Sequence, residues 1–471
     1  MRSLEFGRSG RALILTTAVA VMLATVGCGG GGSSAPPGGG GGGGGNGATA
    51  AQVKIGDAPA DRVIAFEVTV GPITMTPTSG NAVTVLSTAR RLELTHLSGT
   101  NEPLALLKVP QGTYNSATLT VASPEVVFIN NLGQIVKLQP AFSQSLTVNF
   151  SPAFTLGPSA PVVNIDLNVA NSLTFDGNGN VTGVNISASS FDLSTSTIAG
   201  QNEQEFENGE LEDTTGTVAS VSGSTFVLTL GTGVSLTFTT DANTEFKDGA
   251  TLATMSGTLV TVEGLTKSDG TLYAKEVEGV EDAGGAEVEG LISHVTGNPA
   301  TSLTITADDG SGSGMDDSKV GSNFTVDVTG AGYKVHKGNV DNSGIGGLPS
   351  PPDFPFDAST VHAGQRVEIE THNSVSGNSL VADKVKLQQQ AVTGTISGLS
   401  GSAPTTFTLT VAGNSAFAIL SGSTTITVSW QPKTDLHNLP HALTNGDKVR
   451  VRGLAFSTET GFNMIARRIM P

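Results

Sequence analysis

The sequence predicts an all-β chain: an N-terminal β-sandwich followed by three small OB-like or Greek-key β-barrel repeats, preceded by a leader and a glycine-rich tether. Three observations predict it. Thr, Ser and Val crowd short runs in which apolar and polar residues alternate, the period of a half-buried strand, as in VIAFEVTV at 63–70, ATLTV at 117–121 and SLTVNF at 145–150. Glycine-containing turns separate these runs, and 61 of the 471 residues are glycine. Beyond residue 214 a similar strand pattern recurs three times, the signature of a modular array.

The chain begins with Arg2, Arg8 and Arg11, then the apolar run ALILTTAVAVMLATV at 12–26, then Gly27 and Cys28. This order of charge, short apolar core and small residue is that of a secretory signal peptide, and the run is shorter than the roughly 20 apolar residues of a spanning helix. The only cysteine follows it directly and resembles the lipid-attachment site of bacterial lipoproteins. That resemblance implies cleavage before Cys28, acylation of its sulfur, and membrane lipid as the first partner. More than one acyl chain, at about 0.8 kcal/mol per buried CH2, anchors stably. Gly29 stands where an aspartate would retain a similar lipoprotein in the inner membrane, so the outer membrane or cell surface is expected. Residues 29–51 are nearly all glycine and carry too few side chains to fold, so they are expected to be a flexible leash of about 25 Å reach.

From 52 to 200 the alternating runs, broken at Gly71-Pro72, Gly112, Pro140 and Gly157-Pro158, read as strands of a sheet-on-sheet domain. VKIGDAP at 53–59, RLEL at 91–94 and LLKVPQGTY at 106–114 resemble an N-terminal domain of bacterial lipoproteins catalogued as domain of unknown function 4382. The resemblance implies a β-sandwich and an envelope location, and brings no active site with it. An acidic linker is expected at 201–213. Three repeats follow at 214–280, at 281–390 with inserted loops, and at 391–471. They open with TGTVASV (215–221), VEGLISHV (288–295) and VTGTIS (392–397). They close with TLVTVEG before LYAKEV, GQRVEI before LVADKV, and GDKVRVRG before MIARRI. About five strands per unit, with a glycine at each sharp turn, suit a closed barrel. The repeats resemble a second family, domain of unknown function 5666. A further acidic stretch at 278–287 reads as a linker, because clustered like charges resist compaction.

Charge limits the partners. Acidic residues outnumber basic ones 41 to 24, giving a net charge of −17. Nucleic acid is therefore not expected, since its binding needs clustered Lys and Arg, with stacking aromatics for single strands, and the chain has one Trp and three Tyr. One cysteine excludes an internal disulfide. There is no GxSxG elbow, HExxH, CxxC pair or Walker loop, and no catalytic residue is assigned.

Four constellations remain. Lys448, Arg450 and Arg452, alternating with valines, and Arg467-Arg468 make a candidate polyanion contact, for instance with acidic surface polysaccharide. Asp308, Asp309, Asp316 and Asp317 bracket GSGSG and are a candidate calcium loop, though an inserted mobile loop has the same composition. His437 and His441 have helical ligand spacing, but Pro440 between them argues against a helix and no metal is firmly predicted there. DGNGN at 176–180 has Ser187 where an EF-hand needs its bidentate Glu, so it reads as a hairpin turn. No cofactor is expected beyond the lipid on Cys28. The function expected is that of an envelope lipoprotein acting as a non-catalytic binding, adhesion or structural module, with surface polysaccharide or another envelope protein as partner. The alternative is a glycan-directed hydrolase or accessory carbohydrate-binding protein using carboxylates such as Asp57, Glu67, Asp166 and Asp192.

Overall fold

The computed structural model describes residues 48–471 apart from 59–60, 96–101, 158–160, 198–209, 232, 268, 282–284, 317, 339, 342–354 and 437–438. Asn46–Pro471 is one compact unit. Cys28, Asp317 and His437 lie outside the described residues.

The chain is all-β, as its alternation demands. Val63–Pro77 is buried at every position of Val63–Val68, where both faces of the sheet are covered, and mostly alternates buried with more open positions from Thr69 onward. It pairs with Gly112–Ile129 on one side and with Val83–Leu86 and Arg90–Glu93 on the other, while Ile135–Leu138 and Ser143–Leu156 extend the sheet beyond Gly112–Ile129. A second sheet runs in the order Phe191–Thr197, Pro161–Asn168, Ala48–Ala58, Glu102–Pro110. Phe66, Val68, Leu119 and Val121 of the first sheet meet Val109, Val163, Ile165 and Leu167 of the second in one apolar cluster, so the sandwich is real. Gly71-Pro72 does not end a strand as expected. It forms a bulge within Val63–Pro77, where the pairing slips between Val70 and Ile73 and Gly71 takes a φ of +113°. The DGNGN turn is the expected hairpin, its Asp176 Oδ1 accepting from the backbone N–H of Asn178 and Asn180, each at 2.8 Å.

Each repeat closes into the same ring. In the first, Glu210–Ser222 pairs with Thr225–Leu230, which pairs with Ser235–Thr239. Leu259–Thr266 pairs with Glu210–Ser222 and with Leu272–Glu281, and Leu272–Glu281 meets Ser235–Thr239 in parallel to shut the barrel. The circular order first-second-third-fifth-fourth is that of an OB-type barrel. The third repeat reproduces it with Gln389–Ser397, Thr405–Val411, Thr425–Trp430, Lys448–Thr458 and Gly461–Met470. In the second repeat, Ala286–Gly297, Ala300–Gly312, Asn323–Asp327 and Arg366–Thr371 are the first four strands. The fifth is broken in two: Ser379–Val381 pairs with the third strand and Lys384–Leu387 with the fourth. Every barrel also carries a short extra strand parallel to the later part of the fifth: Glu245–Lys247, Gly332–Val335 and Asp435–Leu436.

Glycine sets the curvature at one equivalent position per barrel. Gly216, Gly290 and Gly394 sit in the first strand where a Cβ would collide with the backbone oxygen of Thr229, Thr306 or Thr410, at 2.6 Å for Gly216 and 2.7 Å for Gly394. The strands can coil this tightly only because no side chain stands there.

Of the two expected linkers, 201–209 and 282–284 lie outside the described residues, and what the structure describes of the rest includes strand. The first barrel's opening strand already begins at Glu210, within the stretch expected to be an acidic linker, and Glu278 and Glu287 of the second expected linker belong to strands. The sandwich meets the third barrel through the helix Ala416–Ser421, which Ser415 caps by accepting from the backbone N–H of Ala418. Ile64, Ala65, Val127 and Ile129 pack on Ala416 with Ile419 and Leu420, and Leu291 of the second barrel joins them. Polar bonds frame this apolar patch: the Ala416 N–H donates to Asp61 O at 2.7 Å, and Arg62 donates to Asn414 O and Gly179 O.

Candidate functional site

The most unusual chemistry lies on the outer face of the second barrel. In its first strand Ala286 and Val288 point into the apolar core, so the intervening Glu287 and Glu289 point outward. Register then fixes the neighbours: Glu370 lies opposite Glu287, and Glu368 opposite Glu289. On the next strand Lys386 lies opposite Glu368 and Lys384 opposite Glu370, and on the far side Asp309 lies opposite Glu289. An outer face this polar would ordinarily be wet. Here it is dry, with Glu287 and Glu368 each 2 % exposed and Lys386 1 %.

The first barrel provides the cover. Its Glu278 Oε1 lies 2.9 Å from Lys386 Nζ, its Asp248 bonds Lys334, and its Glu263 and Glu278 stand 3.9 and 3.7 Å from the two ring nitrogens of His336. Lys386 also contacts Glu370 and lies 3.5 Å from Glu368, while Lys384 bonds Glu370. Arg366 makes a fork on Asp308, Nε to Oδ2 at 3.2 Å and Nη2 to Oδ1 at 3.1 Å, and reaches Glu289 Oε2 at 2.7 Å. Among the described residues, seven carboxylates (Glu278, Glu287, Glu289, Asp308, Asp309, Glu368, Glu370) and the cations Arg366, Lys384 and Lys386 meet in this layer.

Electrostatics follow from that imbalance. Burial pushes Glu289 up to about 8 although Arg366 opposes it, and Asp309 and Glu368 add to the rise. Burial likewise carries Glu370 to about 7 against the pull of Lys386, and holds Glu287 well above the ordinary carboxylate range, with Glu289 and Glu368 adding to it. Burial would strip Lys386 of its proton, but Glu368, Glu370 and Glu278 more than offset this and keep it an ammonium.

The residues expected to be functional from sequence are placed differently. Of the basic set, only Lys448 is exposed and Arg450 half-buried, with Arg450 acting on Asp166 of the sandwich. Arg452, Arg467 and Arg468 are 3, 2 and 1 % exposed, and Arg468 Nε donates to Asp435 Oδ2 at 2.6 Å. The face that alternation marked as solvated is an internal one, so these three arginines are closed to an external polyanion. Asp308 and Asp309 do not lie in a loop: both belong to Ala300–Gly312. Asp308 is committed to Arg366, and Asp316 accepts from the Ser318 N–H at 2.9 Å, so the described aspartates of this set do not converge. His441 is exposed, 3.7 Å from Asp447.

Among the carboxylates of the glycan-directed alternative, Asp57 lies on Ala48–Ala58, and Asp166 and Asp192 are cross-strand neighbours on one sheet. Glu67 is on the other sheet, 3 % exposed and paired with Arg91 Nη2 at 2.9 Å.

Glu67 makes a pH prediction. Burial carries it from 4.5 to about 7, with Arg91 opposing and Glu125 and Glu93 adding to the rise. The native state therefore holds this proton where the unfolded chain has lost it, and stability falls as pH rises from about 4.5 to 7. At 1.36 kcal/mol per unit the loss is at most about 3 kcal/mol. Urea midpoints across that range should fall more steeply for wild type than for Glu67→Gln; equal slopes would refute the assignment.

Sequence reasoning missed the buried layer, although one signal was present. Glu287-x-Glu289 and Glu368-x-Glu370 are period-two acidic pairs, and placing like charges opposite one another in a sheet is unfavourable unless something lies between or upon them.

Fold and layer together define an all-β chain in which a β-sandwich and three OB-type barrels are fused through buried polar and apolar interfaces. Residues 48–206 match the family model described as domain of unknown function DUF4382, and residues 215–278 match domain of unknown function DUF5666. These segments coincide with the sandwich and the first barrel, and the other two barrels share that barrel's ring. No curated protein matches the chain.

Proposed function

We propose that the chain is an exported lipoprotein, anchored through acyl chains on Cys28 to the outer membrane or cell surface, which presents the Asn46–Pro471 body as a non-catalytic binding, adhesion or structural module. The leader, the cysteine behind it and the glycine tether support export and anchoring. The observation that carries the non-catalytic reading is the disposition of the displaced carboxylates. Glu67, Glu287, Glu289 and Glu370, the glutamates whose protons burial holds, are all buried against other protein groups. A catalytic acid would instead face a cleft that admits substrate.

Metabolic labelling with an alkyne-bearing fatty acid tests the anchor. Wild type is expected to carry label and sediment with membranes, and Cys28→Ser to lose both. Unlabelled wild type in the cytosol with an intact leader would overturn the reading. A glycan and polyanion array with the purified chain then separates a binder from a scaffold, and turnover of any arrayed glycan would sink the non-catalytic reading.

A further inference from the structure

We propose that Glu287, Glu289 and Glu368 bind one hard divalent cation, with calcium the best fit, in the covered charge layer of the second barrel. Each of the three offers a carboxylate oxygen, and these oxygens lie within 4.8 Å of one another. Some point is therefore no more than about 2.8 Å from all three, the side divided by √3, and a slight rotation of the side chains reaches the roughly 2.3–2.6 Å of a calcium–oxygen bond. Magnesium at about 2.0–2.1 Å would need a larger contraction, and an all-oxygen donor set disfavours zinc and copper.

A second observation points to the ion. Glu287 is 2 % exposed, and its Oε2 has no hydrogen-bond partner. Glu368 Oε1 is likewise without a hydrogen bond. A buried carboxylate is paired, coordinates a metal or keeps its proton, because an uncompensated charge is severely penalised, and three of them converging on one point suit a metal. The nearby cations are already engaged: Arg366 holds Asp308 and one Glu289 oxygen, and Lys386 lies between Glu278, Glu368 and Glu370. Among the described residues, Glu287 forms no ion pair of its own. The strands themselves aim the three side chains together, Glu289 and Glu368 being register partners and Glu287 two positions along the same face. A divalent ion there would let Glu287, Glu289 and Glu368 ionise together without mutual repulsion.

The test uses the full-length chain, stripped with EDTA and then titrated with calcium chloride. Wild type is expected to bind one calcium per chain by calorimetry, with a thermal midpoint that rises by several degrees. Glu287→Gln should abolish that rise while leaving the calcium-free midpoint unchanged or higher, because it removes a buried acid. Asp316→Asn, in the surface loop, should keep the full response. A wild type whose midpoint ignores millimolar calcium, magnesium and manganese and answers only to protons would overturn the proposal. So would a response lost in Asp316→Asn but kept in Glu287→Gln. Should Glu287→Gln not fold, elemental analysis of the wild type and of Asp316→Asn decides: an EDTA-removable calcium in both supports the site, and none in either refutes it.

Discussion

Lys386→Met is expected to destabilise the chain by about 3–5 kcal/mol, among the largest effects of any single substitution. Three carboxylates depend on this ammonium: Glu370 in direct contact, Glu278 at 2.9 Å and Glu368 at 3.5 Å. With 1 % of Lys386 exposed, water cannot replace it. Methionine restores the apolar volume, so the measured loss reports the stranded charges rather than a cavity. Glu278 comes from the first barrel and the other two from the second, so the same change should loosen the junction between barrels as well as the strand pair. The comparison is Lys384→Met. Lys384 is half-buried and its ion pair among the described residues is with Glu370, and its loss should amount to about 1 kcal/mol or less. Adding Glu370→Gln to Lys386→Met should recover part of the deficit, which a double-mutant cycle in urea reads directly. A loss under about 1 kcal/mol for Lys386→Met would mean that the three glutamates are already neutral and the ammonium is not needed.

Arg366 carries the second large effect, and here geometry matters as much as charge. Its guanidinium holds both oxygens of Asp308 and one of Glu289, and its backbone N–H donates at 2.8 Å to Oε1 of Gln390, in the third barrel's first strand. Burial works against its charge, but Asp308 and Glu289 more than offset that and hold the guanidinium firmly protonated. Arg366→Met removes the guanidinium that Asp308 and Glu289 share and should cost about 3–5 kcal/mol. Arg366→Lys keeps the charge but not the planar fork, since one ammonium cannot span Asp308 and Glu289 together, and should cost about 1–2 kcal/mol. Urea denaturation of the three proteins at one pH and one calcium concentration ranks them. Equal stability of the lysine and arginine forms would show that the fork geometry contributes nothing.

Much of the fold was legible because strand signals are local. The runs at 63–70, 117–121 and 145–150 became Val63–Pro77, Gly112–Ile129 and Ser143–Leu156, and the three opening motifs became the first strands of three barrels. The hairpin at Asp176 was legible for the same reason, since an Asx turn is made within five residues. Reading failed where a local signal has two tertiary outcomes. Gly71-Pro72 marks a turn or a bulge, and only pairing with Gly112–Ile129 selects the bulge. An acidic stretch marks a solvated linker or a neutralised layer, and Glu278 and Glu287 belong to the second because Lys386 and the first barrel close over that face. For Arg452, Arg467 and Arg468, alternation correctly assigned strands and wrongly assigned solvent.

By itself, then, the sequence determined the class of fold and the recurrence of one strand pattern in three units. Those are consequences of a two-residue period and of glycine and proline stereochemistry, which act within a few residues. The tertiary structure alone decided what lies on the outer walls. Ala416–Ser421 packs on the sandwich, and Glu278 of the first barrel closes over Lys386. The physical reason is that a charge facing outward looks the same along the chain whether it meets water or another module. Its energy is set by the dielectric and the partners that docking brings, from residues as distant as Glu278 and Lys386.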